Sequence, residues 1–541
     1  MEERGQGRFR KEITLLDMTL VGIGAIIGSG WLFAAGLVAS IAGPAGWISW
    51  VIGGIALLLL GLVYAELDAA FPRAGGLVRY PHYSHGPLVG YLMSLITVIA
   101  FSSIVGIEVL AVRQYATSWW PALSQPGGEL PTVLGWFVQL ALVCVFFLLN
   151  YWSVGIFAKS NTIITFFKYI VPTLIIIVLL TQLKGANFQV EGFAPFGIAG
   201  ITTAITTGGI MFAYLGLQPI MGLAGEVKNP QRNVPIALIA STILSAIVYV
   251  LLQVAFIGSI PTDRLGGGWA GVADEFSLPY YDIAVILGFG WLATLVVADA
   301  VVSPSGTGNI FMSTTARVVF GWARTRTLFR VFGRVDEGTG IPRPALWLTF
   351  GLSIFWTLPF PSWGALVTVV SSALIFTYAV APISAYALRR NAPEMPRPFY
   401  LKGISVIGPI SFVVASLILY WAGWNTLSWL LGSQLVMFVV YLLAKNRVPT
   451  DQVSLAQQVK SSWWLVAYYA AMIILSYLGS FDGIDLLKSP WDQLLVAVVS
   501  VGTYYWGGRA GLAQPPLTRT RWKRRRRMQR WREDPRPLNR S

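Results

Sequence analysis

The sequence is poor in cysteine, histidine and charged residues, and each shortage excludes a class of protein. One cysteine, Cys144, among 541 residues rules out an internal disulfide and any metal site built from several cysteines. His82 and His85 have no third ligand nearby, so we expect this H-x-x-H pair to lie in a loop and to bind no metal. Charged residues make up 12% of the chain, whereas soluble domains contain about a quarter.

Apolar residues, in contrast, make up 55% of the chain, and they come in blocks. The blocks have about 20 residues, the length that a helix needs to cross the hydrocarbon core of a membrane. Such helices satisfy their own backbone hydrogen bonds, which lipid cannot do. We therefore predict an all-α integral membrane protein with about 14 transmembrane helices, at residues 17–41, 44–70, 87–117, 133–152, 161–183, 200–224, 235–260, 281–303, 344–360, 364–388, 404–424, 427–444, 462–480 and 490–507.

The basic residues predict the orientation of these spans. With the N-terminus in the cytoplasm, 34 of the 39 lysines and arginines fall in cytoplasmic segments, and only Lys184, Arg264 and Lys488 fall in external loops. The positive-inside rule therefore places both termini in the cytoplasm. We expect no cleavable signal peptide, because the first apolar block continues as a full span.

The densest basic run lies at residues 519–532, directly after the last span. A basic segment beside a membrane is attracted to anionic lipid headgroups, and this is the interpretation that we favour. The alternative is nucleic-acid binding. We expect no nucleic-acid partner, because nothing that resembles a nucleic-acid-binding domain precedes the run.

The first span carries four glycines at mid-membrane depth, Gly22, Gly24, Gly28 and Gly30. Each glycine weakens a helix by up to about 1 kcal/mol. Close helix packing through small residues explains Gly24 and Gly28. The run Gly28-Ser29-Gly30, however, places small residues on several faces, which favours a break whose exposed N–H groups would suit a carboxylate.

The sixth span is interrupted as well, by Gly216 and Pro219, and it carries the polar Gln218. Proline lacks an N–H and clashes with the preceding turn, so carbonyls near residues 212–215 would be free to accept hydrogen bonds from an ammonium group. Interrupted helices at matching places, five spans apart, indicate an inverted-repeat transporter.

Ionisable residues inside a membrane cost about 2.5–3.5 kcal/mol at the helix centre, so each is a candidate functional residue. Lys168 lies roughly 13 Å deeper than the interfacial Lys159, at 1.5 Å per residue. A lysine so desolvated can gain and lose a proton at physiological pH, although bonding to free carbonyls is a compatible structural role. Glu108 and Arg113, on the third span, are further candidates for a substrate role.

The eighth span ends with a polar stretch at residues 303–309, next to Asp299. This stretch suggests a surface that is accessible to water or linked to an ion, and Asp299 is a candidate residue there. A plain loop that begins at Ser303 explains it equally well.

Several runs resemble the amino acid–polyamine–organocation superfamily of permeases. The runs are G-I-G-A-I-I-G-S-G-W-L-F at 22–33, F-A-Y-L-G-L-Q-P at 212–219, A-G-E-V-K-N-P-Q-R-N-V-P-I-A at 224–237, and S-T-T-A-R, W-A-R and I-P-R-P at 313–317, 322–324 and 341–344. Others, such as Y-A-E-L-D-A-A-F-P-R-A-G-G at 64–76 and R-Y-P-H-Y-S-H-G at 79–86, are similar to the aspartate/glutamate transporter family within it.

The resemblance implies a five-plus-five inverted-repeat fold of the leucine-transporter type, with helices 1 and 6 discontinuous. It implies that the substrate α-carboxylate meets the backbone at Ile27, Gly28, Ser29 and Gly30. The amino group would meet carbonyls of the sixth span, where Phe212, Ala213, Leu215, Gly216 and Gln218 are the candidate binding residues. Lys168 matches a lysine that replaces a sodium ion in some proton-coupled relatives, and the hydroxyls of Ser303 or Ser305 would lie nearby.

These expectations combine into one organisation and one function. Residues 1–16 form a cytoplasmic N-terminus, 17–390 the ten-helix transport core, 391–508 four additional helices and 509–541 a basic cytoplasmic tail. We predict proton-coupled uptake of L-aspartate, or of glutamate, across the plasma membrane. The alternatives are an exchanger or symporter for another amino acid or a polyamine, and a membrane amino-acid sensor.

Other classes of function lack the residues that they need. The sequence has no nucleotide-binding P-loop, so ATP is not the expected energy source. It has no cluster of His, Cys, Asp or Glu, so we expect no membrane-embedded enzyme and no cofactor.

Overall fold

Almost every described segment of the chain is helical. The structure is a computed structural model, and it describes residues 13–71, 76–126, 129–152, 168–214, 216–222, 227–336, 338–444 and 453–514. Within these ranges, extended pairing is confined to two isolated β-bridges, Ile13 with Val227 and Ser124 with Pro131. The basic run at residues 519–532 lies outside the described residues.

The described part of the chain contains 21 α-helices. In chain order they are α1 (Leu15–Ile26), α2 (Gly30–Ala42), α3 (Gly46–Ala70), α4 (Gly76–His85), α5 (Pro87–Ala116), α6 (Val133–Trp152), α7 (Lys168–Leu180), α8 (Gly197–Thr206), α9 (Ile210–Ala213), α10 (Leu217–Gly222), α11 (Pro230–Ser259), α12 (Val272–Glu275), α13 (Pro279–Ile286), α14 (Gly290–Arg324), α15 (Arg343–Trp356), α16 (Trp363–Asn391), α17 (Ile404–Tyr420), α18 (Trp424–Leu443), α19 (Leu455–Lys460), α20 (Trp463–Leu478) and α21 (Trp491–Ala510).

Eight of the described helical stretches are long and apolar enough to cross a membrane. They are Gly30–Ala70, Pro87–Ala116, Val133–Trp152, Arg232–Ser259, Gly290–Arg324, Trp363–Asn391, Trp424–Leu443 and Leu455–Leu478. Four shorter apolar helices, α1, α7, α8 and α17, have 10–17 residues each. The chain is therefore a multi-pass membrane protein, and the number of 14 spans stays a prediction.

Helices α5 and α16 are buried on nearly every face, as expected for elements at the centre of a bundle. Helix α14 packs along α5, and α11 packs against α1 and α3. These contacts bring the N-terminal helices, the middle of α5 and the middle of α14 together around the region where α1 ends.

One of the two alternatives for residues 303–309, the loop, is wrong, and so is the loop expected at His82 and His85. The polar stretch at residues 303–309 is not a loop, because it lies inside the continuous helix α14. Its hydroxyls are compatible with a helix, since those of Ser305 and Thr307 bond to carbonyls four residues earlier. His82 and His85 are not in a loop either; they lie in α4.

Candidate functional site

The site begins where two helix ends meet in the interior. Helix α1 ends at Ile26 and α2 begins at Gly30, while α9 ends at Ala213 and α10 begins at Leu217. A Cβ at Gly30 would lie 2.6 Å from the Cα of Ala213, and one at Gly216 would lie 2.7 Å from the nitrogen of Ile26. Glycine at both positions therefore allows the two backbones to touch.

The Tyr249 hydroxyl of α11 bridges these helix ends. It lies 3.0 Å from the carbonyl oxygen of Ile26 and 2.9 Å from that of Ala213. Carbonyls in the last turn of a helix have no partner within the helix, so they are available to other donors. Tyr249 was not predicted, because a single tyrosine in an apolar span carries no signal of its own.

A small, partly open cavity lies beside the touching backbones, and its empty space, open solvent included, is about 200 Å³. Glu108 is the ionisable residue that lines it. The lining residues are Ala25, Ile26, Gly28, Gly30, Ile104, Glu108, Phe212, Ala213, Thr307 and Phe311. The predicted residues Gly28, Gly30, Phe212 and Ala213 thus share one cavity with Glu108.

The carboxylate of Glu108 is hydrogen-bonded to a backbone amide at the start of α2. The N–H of Ser29 donates to both carboxylate oxygens, at 3.1 and 3.4 Å. The Ser29 hydroxyl in turn accepts from the indole nitrogen of Trp363 at 2.8 Å. The Trp363 ring stacks on Phe33 and meets Phe212 edge-on, so aromatic side chains cover this end of α2.

Lys168, at the start of α7, is buried against the last turn of α1. Its Nζ donates to the carbonyl oxygen of Gly24 at 3.0 Å and to the Thr307 hydroxyl at 2.8 Å. Ser303 or Ser305 was expected near this amine, but Thr307 supplies the hydroxyl. The Ser305 hydroxyl donates to the Val301 carbonyl within its own helix.

Thr307 places the lysine and the acid next to each other. A Cβ at Gly28 would lie 3.1 Å from the Thr307 hydroxyl oxygen and 2.7 Å from a Glu108 carboxylate oxygen. Glu108 and Lys168 are close enough for their charges to interact. The cavity therefore has an acid and the ends of two helices in its lining, and an amine bonded to one of its lining residues, Thr307.

Other candidates lie away from the cavity lining. Gln218 donates from its amide to the Tyr378 hydroxyl. Arg113 donates to the Ser124 hydroxyl at 2.5 Å and to the carbonyls of Glu129 and Pro361, both at 2.8 Å. These three acceptors give Arg113 a structural role between α5 and the neighbouring loops. Ile27 is the residue that caps the C-terminal end of α1, and Leu215 lies outside the described residues.

The described residues contain no group of three His, Cys, Asp or Glu side chains that could hold a metal ion. The His85 ring instead lies 2.9 Å from the Gly507 carbonyl oxygen, through Nε2, and 2.7 Å from the Ser84 hydroxyl, through Nδ1. Burial lowers the pKa of His85 to about 4, and the pKa of His82 likewise. His85 thus joins α4 to the C-terminal helix α21 as a neutral side chain.

Comparison with known proteins gives consistent matches over most of the chain. Residues 13–476 match the amino acid permease family. The chain is 59% identical over 513 residues to the aspartate-proton symporter of Bacillus subtilis (strain 168), covering 95% of this chain and 99% of that protein. It is 38% identical over 514 residues to the glutamate/serine transporter AimA of the same organism, covering 93% and 94%. It is 26% identical over 456 residues to the branched-chain amino acid permease BcaP, also from that organism, covering 82% and 95%.

Proposed function

This chain belongs to the amino acid permease family, and on that premise we propose that it carries L-aspartate together with a proton across the plasma membrane by alternating access. The family and the relatives above are transporters, so the chain is a permease and not an enzyme. The aspartate-proton symporter, 59% identical over nearly the full length of both proteins, supports the substrate and the coupling ion.

We propose the inverted-repeat architecture as the frame for this function. Helices α1 and α2 would form one discontinuous span, and α8, α9 and α10 another, within a core at residues 17–390. Four additional spans at 391–508 would complete a total of 14, with both termini in the cytoplasm. The basic tail at 509–541 would lie on anionic lipid headgroups. The touching helix ends at Ile26 and Ala213 support this arrangement.

The observation that carries the proposal is the position of the Glu108 carboxylate. It already accepts a hydrogen bond from the Ser29 amide, at the start of α2, where a substrate carboxylate would bind. We propose that the α-carboxylate of aspartate replaces it, at the backbone of Ile27, Gly28, Ser29 and Gly30. The α-amino group would then meet the Ile26 and Ala213 carbonyls that Tyr249 now contacts.

Charge balance then explains why a proton accompanies the substrate. An ionised Glu108 and a protonated Lys168 together have no net charge, whereas aspartate has a net charge of minus one at neutral pH. Burial of an uncompensated charge is costly, so aspartate enters most readily when one proton neutralises Glu108. The site remains neutral overall, and Lys168 acts as the fixed positive charge of the coupling site.

Uptake of radiolabelled L-aspartate into proteoliposomes, at zero sodium and with or without an inward proton gradient, tests this function. We expect accumulation that needs the gradient, that excess unlabelled aspartate abolishes and that Lys168→Ala loses. Lys184→Ala, which changes an exposed lysine, is the matched control and should transport as the wild type does. Absence of aspartate uptake by protein that transports another amino acid would remove aspartate from the proposal.

Glutamate and serine are a second set of candidate substrates, because the 38% identical relative is a glutamate/serine transporter. Competition separates the two assignments. Unlabelled glutamate, serine and aspartate would each be tested for inhibition of labelled aspartate uptake. If glutamate or serine inhibits at a concentration no higher than unlabelled aspartate needs, the broader substrate range is favoured.

A further inference from the structure

Asp299 is a buried carboxylate that the proposed transport cycle does not yet use. It lies in α14 and is 1% exposed. Among the described residues, neither of its carboxylate oxygens has a hydrogen-bond partner. An ionised carboxylate without partners is costly in the membrane interior, so such a group is stable there when it carries a proton or is hydrated.

Asp299 belongs to a row of polar side chains on one face of α14. Asp299, Ser303 and Thr307 follow one another at intervals of four residues, which places them on adjacent turns of the same face. The Ser303 hydroxyl is also buried and has no acceptor among the described residues. Pro304 has no N–H, so the Ala300 carbonyl loses its helical donor and adds a free acceptor to this turn.

The row ends at the proposed coupling site. Thr307 accepts the hydrogen bond from Lys168 and lines the cavity with Glu108. Asp299 is eight residues, or roughly 12 Å along the helix axis, closer to the start of α14 than Thr307. In the proposed topology that start, at Gly290, faces the outside.

The charged and titratable groups around Asp299 act on it through space and do not bond to its carboxylate in the described part of the chain. In the described part of the chain, Asp299 interacts electrostatically with Lys168 of α7 and with Tyr115 of α5. Tyr115 donates to the Leu32 carbonyl at 2.9 Å, so its hydroxyl is already used. Asp282 of α13, which also acts on Tyr115, accepts from the Leu278 amide at 2.7 Å.

We propose that Asp299 is a second proton-binding site, which loads a proton from the outside and passes it along α14 to Glu108. This inference rests on the proposed function. The proton leaves the Asp299 carboxyl, the hydroxyls of Ser303 and Thr307 each accept one proton while donating their own, and the last proton reaches the Glu108 carboxylate while Lys168 stays an ammonium. Water fills gaps that are too long for a direct hydrogen bond. No bond between heavy atoms forms or breaks.

Infrared spectroscopy of the purified protein, titrated with pH, tests the proton-binding site without transport. A protonated carboxyl has its own carbonyl stretch, and we expect one such band to be absent from Asp299→Asn and present in Glu108→Gln. An unchanged set of bands in Asp299→Asn at every pH would overturn the site. The infrared measurement does not depend on transport. Protein that shows the Asp299 band but does not transport aspartate would therefore overturn the proposed function and leave the proton-binding site in place.

Proteoliposome transport tests the relay. We expect Asp299→Asn to slow proton-driven aspartate uptake by about tenfold or more, as loss of a positioned proton donor does, with counterflow exchange close to wild type. Ser303→Ala should show an intermediate loss, whereas Ser305→Ala, whose hydroxyl bonds within the helix, should show none. Equal losses of driven uptake and counterflow in Asp299→Asn would mark a structural role and overturn the relay.

Discussion

At the scale of single residues, Glu108 determines whether the Ser29 amide is free for a substrate. Glu108→Gln keeps the shape of the side chain but cannot ionise, so it resembles a permanently protonated acid. We expect aspartate counterflow to persist and gradient-driven accumulation to be lost, because no proton can leave the site in each cycle. Uptake with and without a proton gradient measures both. Accumulation as in the wild type would place the coupling on another residue, and Glu129→Gln, at an exposed position, is the control.

His85 makes a prediction about acid stability rather than about transport. Burial lowers its pKa to about 4, whereas the unfolded chain titrates near 6.5. Between these values the unfolded state binds the extra proton, so stability falls as pH falls through this range. His85→Gln can still donate a hydrogen bond to the Gly507 carbonyl. We expect the midpoint temperature of its thermal unfolding to fall less between pH 7 and pH 5 than that of the wild type.

Thermal unfolding in detergent at the two pH values measures this difference. The dependence of aspartate uptake on external pH should remain that of the wild type in His85→Gln, since a neutral histidine takes no part in coupling. An equal loss of thermal midpoint in both proteins would show that His85 does not contribute to acid destabilisation.

The sequence indicated the residues of the site that break a rule of membrane helices, and it missed those that do not. Glycines and two charged groups in apolar spans pointed to Gly28, Gly30, Glu108 and Lys168, which the structure brings together. Tyr249 is common in such spans, and its bond to Ile26 joins residues 223 positions apart. Local patterns cannot predict contacts of that kind. The binding and coupling roles of these residues stay predictions.

At the scale of elements, a buried ion pair fixes the end of α3 to the end of α16. The Glu66 carboxylate accepts from Nε and Nη2 of Arg389, at 2.8 and 2.5 Å, and from the Leu401 amide at 2.8 Å. Glu66→Gln leaves the Arg389 charge uncompensated, so we expect a loss of stability on the order of 3 kcal/mol. Thermal unfolding in detergent should show a clear fall in midpoint.

An exposed ion pair supplies the control for this experiment. Asp263 lies 3.9 Å from Arg264, and its side chain is 80% exposed. Asp263→Asn should cost less than about 1 kcal/mol, because water and salt screen exposed pairs. Similar midpoints for Glu66→Gln and Asp263→Asn would contradict the assignment of a stabilising pair to the end of α3.

Helix α14 shows why element boundaries were harder to predict than element type. The polar residues 303–309 read equally well as a loop, yet the helix continues to Arg324. Packing decides the matter, since a Cβ at Gly308 would lie 2.8 Å from the Phe146 ring, so the glycine admits α6 closely. Hydropathy records only that the segment is polar; it does not record that another helix covers it.

At the scale of the whole molecule, the proposed charge balance predicts how the membrane voltage acts. One aspartate, with a net charge of minus one, and one proton cross together without moving net charge. A potassium diffusion potential, set with valinomycin at equal pH on both sides, should therefore leave the initial uptake rate unchanged. Two protons per aspartate would move one positive charge, worth about 2.3 kcal/mol per 100 mV, so an inside-negative potential would then drive uptake.

Glu108→Gln extends this test to the coupling site. Without a titrating acid at Ser29, aspartate would cross alone, and the transported charge would become negative. We expect an inside-negative potential to slow uptake by this variant and an inside-positive potential to speed it, while the wild type responds to neither. Voltage-insensitive uptake by Glu108→Gln that still follows the proton gradient would contradict neutralisation of Glu108 as the source of coupling.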